Sequence, residues 1–136
     1  MPYSEENSIK GERMMSQGFI AQYAAEAALQ IEGVISLDSG VLVDLKKALG
    51  VEHDGSGVKV EFGPENSEFV TITIYPICKF GYVIPEIAWN IQEKVKEDVE
   101  RYTGLVVDFV HVQVMGVQAN SLEASDSQIY RFDEEL

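Results

Sequence analysis

Residues 80–117 constrain the fold more than any other part of this chain. A glycine turn at Gly81 leads to Pro85, which favours the first turn of a helix because proline lacks a backbone N–H. Apolar residues then recur every three or four positions as far as Gly104, which is a typical helix stop. Residues 105–115 alternate like a strand, with Val110, Val112 and Val114 on one face. A helix followed by a strand is therefore predicted.

A β-hairpin is predicted before this helix. Residues 58–62 and 69–78 alternate in polarity on either side of a turn cluster at 63–67. Pro76 cannot donate a ladder hydrogen bond, so it predicts an edge or a bulge near the strand end. Residues 69–115 then form a strand–helix–strand unit, which we expect to be a right-handed parallel crossover. The sheet should therefore be mixed.

Three further elements complete the predicted fold. An alanine-rich apolar stripe predicts a helix over 14–32, followed by a short strand at 34–37 and a second helix at 41–49. The order α-β-α-β-β-α-β predicts an α/β (α+β) two-layer sandwich, in which a small mixed sheet carries helices on one face. The opposite face should display Lys59, Glu61, Thr71, Thr73, Tyr75, Phe109, His111 and Gln113.

The chain is predicted to hold one domain between two terminal segments. Residues 1–13 are polar and predict a flexible arm, 14–117 form the domain, and 118–136 form an acidic tail. Most of the tail reads as a solvated segment. The exceptions are three apolar residues, Ile129, Tyr130 and Phe132. Their alternative interpretation is that this part of the tail docks onto a protein surface.

The charge of the chain limits its partners. Its 10 basic and 23 acidic residues give a net charge of -13, which repels nucleic acid and anionic lipid. No apolar run reaches the ~20 residues that a membrane span needs, so we expect no direct membrane insertion. The start of the chain has no secretory signal and Cys78 is the only cysteine, which together indicate a cytoplasmic protein.

Catalytic and metal-binding patterns are not evident in the sequence. Phosphate-loop, dinucleotide-binding and nucleophile-elbow motifs are missing. Cys78 has the same parity as the inward-facing residues of its strand, so its thiol is predicted to be buried and inert. His53 lies in an acidic loop without further zinc ligands. We expect no enzyme activity, catalytic residue, metal or cofactor. An enzyme using Cys78 or His111 would need a pocket that joins one of them to a second polar group.

An ordered set of fragments resembles the alkaline shock protein (Asp/Gls) family of envelope stress-response proteins of Gram-positive bacteria. The fragments are AAE at 24–26, IEGV at 31–34, GVKV at 57–60, GYVIPE at 81–86, NIQ at 90–92, VK at 95–96, VE at 99–100, TGL at 103–105 and a valine-rich strand ending in Gly116-Val117. The resemblance implies small, non-enzymatic cytosolic proteins. Some associate with a membrane through a separate anchor protein, some self-associate, and others are tied to control of lipid synthesis. It supplies no catalytic residues.

These observations predict a protein-binding adaptor or scaffold of the envelope stress response. Its partner would be a membrane anchor protein or a cytosolic enzyme, and a homo-oligomer is also compatible. The alternative function is a regulatory subunit that modulates a lipid-synthesis enzyme. We expect the docking surface to be the face opposite the helices, because its mixed aromatic and hydroxyl side chains suit association. The predicted partner-binding residues are Thr71, Thr73, Tyr75, Phe109 and His111.

Trp89 offers a second candidate anchor. It is the only tryptophan and lies near the edge of the apolar stripe of the helix that follows Pro85. Packing within the domain and contact with a partner both fit that position, since tryptophan is a common core residue and a common interface anchor.

Overall fold

The computed structural model describes residues 15–38, 57–64, 68–119 and 129–131. The predicted arm, the predicted helix at 41–49, the loop with His53 and most of the acidic tail lie outside these residues. The described elements are α1 (Gln17–Leu29), β1 (Val34–Leu37), β2 (Val58–Phe62), β3 (Phe69–Ile74), β4 (Pro76–Lys79), α2 (Ile84–Thr103), β5 (Val106–Val112), β6 (Gly116–Gln118) and β7 (Ile129–Arg131).

The strands form two mixed sheets. One sheet has the order β2-β3-β5 and the other has the order β1-β4-β6-β7. The predicted hairpin is confirmed, because β2 runs antiparallel to β3. The predicted parallel crossover is also confirmed, because β3 and β5 are parallel and α2 lies between them in the chain.

The chain passes from one sheet to the other at Tyr75. The prediction of a single strand over 69–78 is therefore wrong, since β3 ends at Ile74 and β4 begins at Pro76. Pro76 marks this break and not an edge, because β4 lies between β1 and β6. The Tyr75 N–H donates to Gly57 O at 3.1 Å at the end of the hairpin, whereas the Tyr75 carbonyl accepts from Asp38 N–H at 2.8 Å.

Capping residues set the ends of the two helices. The Ser16 side chain accepts a hydrogen bond from Phe19 N–H at 3.1 Å, so α1 begins at Gln17, three residues later than predicted. The predicted stop of α2 is confirmed, because Gly104 adopts a φ of 78° and donates to Glu100 O at 3.0 Å. Pro85 lies in the first turn of α2, as predicted.

The larger apolar cluster of the described residues joins both helices to one face of the β2-β3-β5 sheet. Each aliphatic side chain that leaves water here stabilises the fold by about 1.5–3 kcal/mol. The predicted two-layer α+β fold is confirmed, with two sheets in place of one. The main contributors to this core are Ile20, Ala24, Ala27 and Ala28 of α1, Ile87, Ile91, Val95 and Val99 of α2, and Val58, Val60, Val70, Ile72, Ile74, Val107 and Val110 of the strands.

Candidate protein-binding surface

The side chains of β2, β3 and β5 that point away from the helices form a surface that we call the open face. Strand register arranges it in rows, because each β3 residue has one partner on β2 and another on β5. One row contains Lys59, Thr73 and His111, and the next contains Glu61, Thr71 and Phe109. Four of the five predicted partner-binding residues therefore lie in two adjacent rows.

An aromatic pair dominates this surface. The rings of Phe109 and His111 stack with centroids 5.8 Å apart and an interplanar angle of 6°. The Phe109 side chain remains 60% exposed. On β2, Lys59 Nζ lies 3.6 Å from Glu61 Oε2. The open face thus combines a flat aromatic platform with hydroxyls and a surface ion pair.

A β-bulge at Asp108 determines which β5 side chains reach the open face. Val70 pairs with Val107 and Thr71 pairs with Phe109, so Asp108 is the extra residue on β5. The extra residue resets the alternation, and Val107 is buried while Phe109 is exposed. The sequence-based prediction assumed strict alternation along residues 105–115 and therefore missed this bulge.

Phe69 and Val106 extend the open face beyond the predicted residues. They are register partners at the start of β3 and β5, and they are 47% and 39% exposed. The parity of Phe69, which it shares with Thr71 and Thr73, was a usable signal in the sequence. The sequence contains no such signal for Val106. Alternation counted back from the inward-facing Val110 predicts that Val106 also faces inward, and only the bulge reverses this prediction.

Tyr75 departs from the expected exposure. It is only 7% exposed and forms a separate buried cluster with Ile77 and Met115. The reason is its position at the change of sheet, where the chain leaves the open face after Thr73. The structure therefore brings together Thr71, Thr73, Phe109 and His111 but does not place Tyr75 with them at the surface.

Side chains of α2 hold the outer edge of β5. Gln92 Nε2 donates to Val110 O at 2.9 Å, and Lys96 Nζ donates to Val107 O at 3.1 Å. Glu100 Oε2 accepts from Val107 N–H at 2.9 Å and from Lys96 Nζ at 2.8 Å. These hydrogen bonds, first that of Lys96 and then that of Val107, lower the pKa of the Glu100 carboxyl. Side chains of α2 therefore hold the edge of the strand that carries the aromatic pair.

Cys78 belongs to the core and not to a reactive site. Its side chain is fully buried among the apolar residues that join helices and sheet, and burial raises the pKa of its thiol. Since the thiolate is the reactive form, this environment suppresses nucleophilic chemistry at Cys78. Within residues 15–38, 57–64 and 68–119, no group of three or more His, Cys, Asp or Glu side chains could hold a metal ion.

Trp89 lies on the outer side of α2. Its side chain is 59% exposed, so it does not pack into the core as one reading of the sequence suggested. Neither described helix has the length and the apolar character that would carry it across a bilayer.

Two fragments that carry the family resemblance meet in space. Tyr82 Oη donates to Glu32 Oε2 at 3.3 Å, and Lys79 N–H donates to Gly33 O at 2.8 Å. Gly33 has a φ of +99°, and a Cβ there would lie 2.7 Å from Ile87 Cδ1. We call this contact between the exit of α1 and the entry to α2 the helix junction. Its hydrogen bonds hold the exit of α1 against the entry to α2.

Comparison with known proteins places the chain among stress-response proteins. It is 27% identical to the uncharacterized protein YqhY of Bacillus subtilis over 113 residues, covering 83% of this chain and 78% of that protein. It is 33% identical to YloU of the same organism, covering 82% and 92%. A stress response regulator gls24 homolog of Streptococcus pyogenes is 26% identical, covering 82% of this chain and 62% of that protein. The alkaline shock protein 23 family, described by its cell envelope-related function, matches residues 5–119. The predicted resemblance is confirmed, and this chain belongs to the alkaline shock protein 23 family of envelope-related stress-response proteins.

Proposed function

We propose that this protein is a non-enzymatic adaptor or scaffold of the cell envelope stress response and that it binds a protein partner through the open face. The observation that carries the proposal is the exposed aromatic stack of Phe109 on His111. The fold gains no core packing from this stack, because the helices cover the other side of the same strands. Family membership supports the envelope-related role.

The open face has the chemistry of an interaction surface. Aromatic side chains are enriched in protein interfaces, where they provide much of the binding energy. Thr71 and Thr73 offer hydroxyls beside the stack, and Phe69 and Val106 continue its apolar part. Strands held by α2 lose little conformational entropy when a partner binds, which favours affinity.

The proposed partner is a separate membrane anchor protein. An acidic chain with a net charge of -13 gains nothing from anionic lipid headgroups, so a second protein must supply the attachment. The adaptor would then work in the cytoplasm, at the inner face of the cell membrane. The alternative partner, a cytosolic lipid-synthesis enzyme, would make this chain a regulatory subunit.

The test is quantitative affinity capture from Gram-positive cells with soluble and membrane fractions kept apart. The test variant combines Thr73→Glu with His111→Glu, which adds negative charge to one row of the open face. The matched control is Glu93→Lys, because Glu93 is exposed on α2, on the side of the domain away from the open face. A partner that the wild type and the control retain and the test variant loses supports the proposal.

The fraction that holds the partner separates the candidate functions. An integral membrane protein lost only from the open-face variant supports the adaptor, and a soluble lipid-synthesis enzyme lost in the same way supports the regulatory subunit. Further copies of the chain lost in that way would indicate a homo-oligomeric scaffold. If the folded test variant retains every partner of the wild type, the open face is not the docking surface.

A further inference from the structure

Strand β5 has an outer edge that no described strand covers. It pairs with β3 on one side and stands at the end of the sheet order β2-β3-β5. Gln113 N–H donates to Ile74 O at 2.9 Å, so the backbone of Gln113 faces β3. Backbone groups along a strand alternate in direction, so the N–H and the C=O of Val112 point away from β3. The outer edge of β5 therefore includes the backbone of Val112.

Polar side chains of α2 block the earlier part of this edge. Lys96 donates to Val107 O, and Glu100 accepts from Val107 N–H. One turn nearer the start of the helix, Gln92 donates to Val110 O. An uncovered strand edge is a template for an added strand, and side-chain contacts of this kind occupy its hydrogen-bonding groups. A further strand therefore cannot pair freely with the first part of β5.

An exposed indole lies beside the last part of the edge. Trp89 precedes Lys96 by seven residues, close to two helical turns, so both lie on the same side of α2. The contacts to β5 show that the strand runs opposite to the helix, which puts Trp89 beside Val112. The Trp89 side chain is 59% exposed. Within the described residues, no hydrogen bond reaches the outward-facing backbone groups of Val112.

The surroundings of Trp89 are acidic. Glu86 lies about one turn before it and Glu93 about one turn after it, and both side chains are exposed. None of the three ion pairs among the described residues includes either carboxylate, and both lysines of α2 pair with other acidic residues of the helix. Charge complementarity therefore selects a basic ligand for this place and rejects an acidic one.

We propose that the end of the β5 edge and Trp89 form a second binding site, whose ligand is an extended, arginine-containing segment of another protein. The segment adds a short strand to β5, with its backbone paired to Val112. An arginine side chain stacks on the Trp89 indole and forms hydrogen bonds with Glu86 or Glu93. Arginine suits both contacts because its planar guanidinium can stack on a ring while it binds a carboxylate. This site does not use the open face and does not depend on the proposed function.

The test measures binding of labelled, end-capped peptides to the full-length protein by fluorescence anisotropy. The probe is a six-residue peptide of alternating valine and arginine, which places every arginine on one side of an extended strand. Salt at about 0.15 M screens attraction between distant charges. The same peptide with glutamate in place of arginine should not bind, and binding of this acidic peptide with equal affinity would overturn the proposal.

Two N-methylated peptides test whether the ligand binds as a strand. Successive N–H groups of an extended peptide point in opposite directions, so only one set of alternate residues faces β5. Methylation of every arginine nitrogen of the backbone, or of every valine nitrogen, gives two peptides of equal charge. One of them should lose affinity about tenfold or more, because its methyl groups face the edge. The other should bind like the parent peptide.

Substitutions in the protein test the indole and the carboxylates. Trp89→Ala should weaken binding of the parent peptide about three- to tenfold, because it removes the cation–π contact. Glu93→Lys should weaken binding more than Glu68→Lys, which makes the same change in charge. Glu68 is a matched control because it is exposed and its carbonyl accepts from Val106 N–H at the start of β5, at the other end of the strand from Val112.

Three further results would each overturn the proposal. They are equal affinities for the two methylated peptides, binding that Trp89→Ala leaves unchanged, and equal effects of Glu93→Lys and Glu68→Lys. Circular dichroism of each variant checks that the fold is intact. Since Glu93→Lys leaves the open face unchanged, it should reduce peptide binding but not capture of an open-face partner. Failure of one site can therefore be distinguished from failure of the other.

Discussion

The two faces of the β2-β3-β5 sheet are built from alternate residues of the same strands, yet they differ in burial and in the chemistry of their side chains. On β3, Ile72 is fully buried against the helices, whereas its neighbours Thr71 and Thr73 are half-buried on the open face. The helix-facing side is almost entirely aliphatic, and the open face mixes aromatic, hydroxyl and charged groups. Stability is therefore expected to depend mainly on the face that the helices cover.

The largest expected effect tests this division directly. Ile72→Ala should lower the free energy of unfolding by about 2–5 kcal/mol, because it leaves a cavity in the core. The adjacent Thr71→Ala should change it by less than about 0.5 kcal/mol, as surface substitutions usually do. Urea unfolding followed by circular dichroism measures both. Comparable losses from the two substitutions would show that the open face is also covered in the folded protein.

The helix junction gives the second largest effect. Gly33→Ala should lower the free energy of unfolding by about 1–3 kcal/mol, since it combines a strained φ with a clash against Ile87. Gly81→Ala is the matched control, with a φ of +100° and no heavy atom within 4 Å of the added Cβ. Thermal unfolding should show Gly33→Ala to be the more harmful of the two. Equal losses would assign the effect to backbone strain alone.

The edge of β5 gives a smaller, pH-dependent effect. Glu100→Gln should lower the free energy of unfolding at neutral pH by about 0.5–1.5 kcal/mol, because it weakens hydrogen bonds to Lys96 and Val107. The folded pKa of Glu100 is lowered, so its contribution is present above the unfolded pKa and is lost as pH falls through the folded value. The difference from wild type should therefore disappear in acid.

Denaturant unfolding at several pH values measures this contribution. Glu93→Gln serves as the control, because Glu93 is an exposed carboxylate of the same helix. A deficit in Glu100→Gln that grows toward acid would contradict the assigned hydrogen bonds.

The smallest expected change in stability is at the aromatic stack. Phe109→Ser should alter the free energy of unfolding by less than about 0.5 kcal/mol, since the Phe109 ring is 60% exposed. The same substitution should reduce capture of the partner, because it removes the centre of the open face. Affinity capture beside a thermal melt makes both measurements. A large loss of stability without loss of the partner would show that the Phe109 ring stabilises the fold and does not bind the partner.

Sequence periodicity predicted the elements whose signals are local. The apolar stripe of α2, Pro85 at its start and Gly104 at its end are properties of neighbouring residues, and the structure agrees with them. The bulge at Asp108 and the break at Tyr75 were not predictable in this way. Both depend on how strands that are distant in the sequence align. The alternation of side chains within one strand does not indicate which residues of another strand pair with it.

The same limit applies to the open face. Thr71 and Thr73 were identified by their parity on β3, but their pairing with Phe109 and His111 required the register. Tyr75 has the same parity and is nevertheless buried, because the chain changes sheet at that residue. Parity identifies which side chains share a face only while the strand remains in one sheet.

The parallel pairing of β3 with β5 has a consequence for how the protein is made. Residues 75–105 separate the two strands, and α2 supplies the side chains that hold the edge of β5. While the ribosome is still adding α2, β2 and β3 can already form their local hairpin, but β3 has no neighbour on its other side. The incomplete chain therefore has an unpaired edge along β3 during its own translation, and unpaired strand edges make a partly folded chain prone to aggregation.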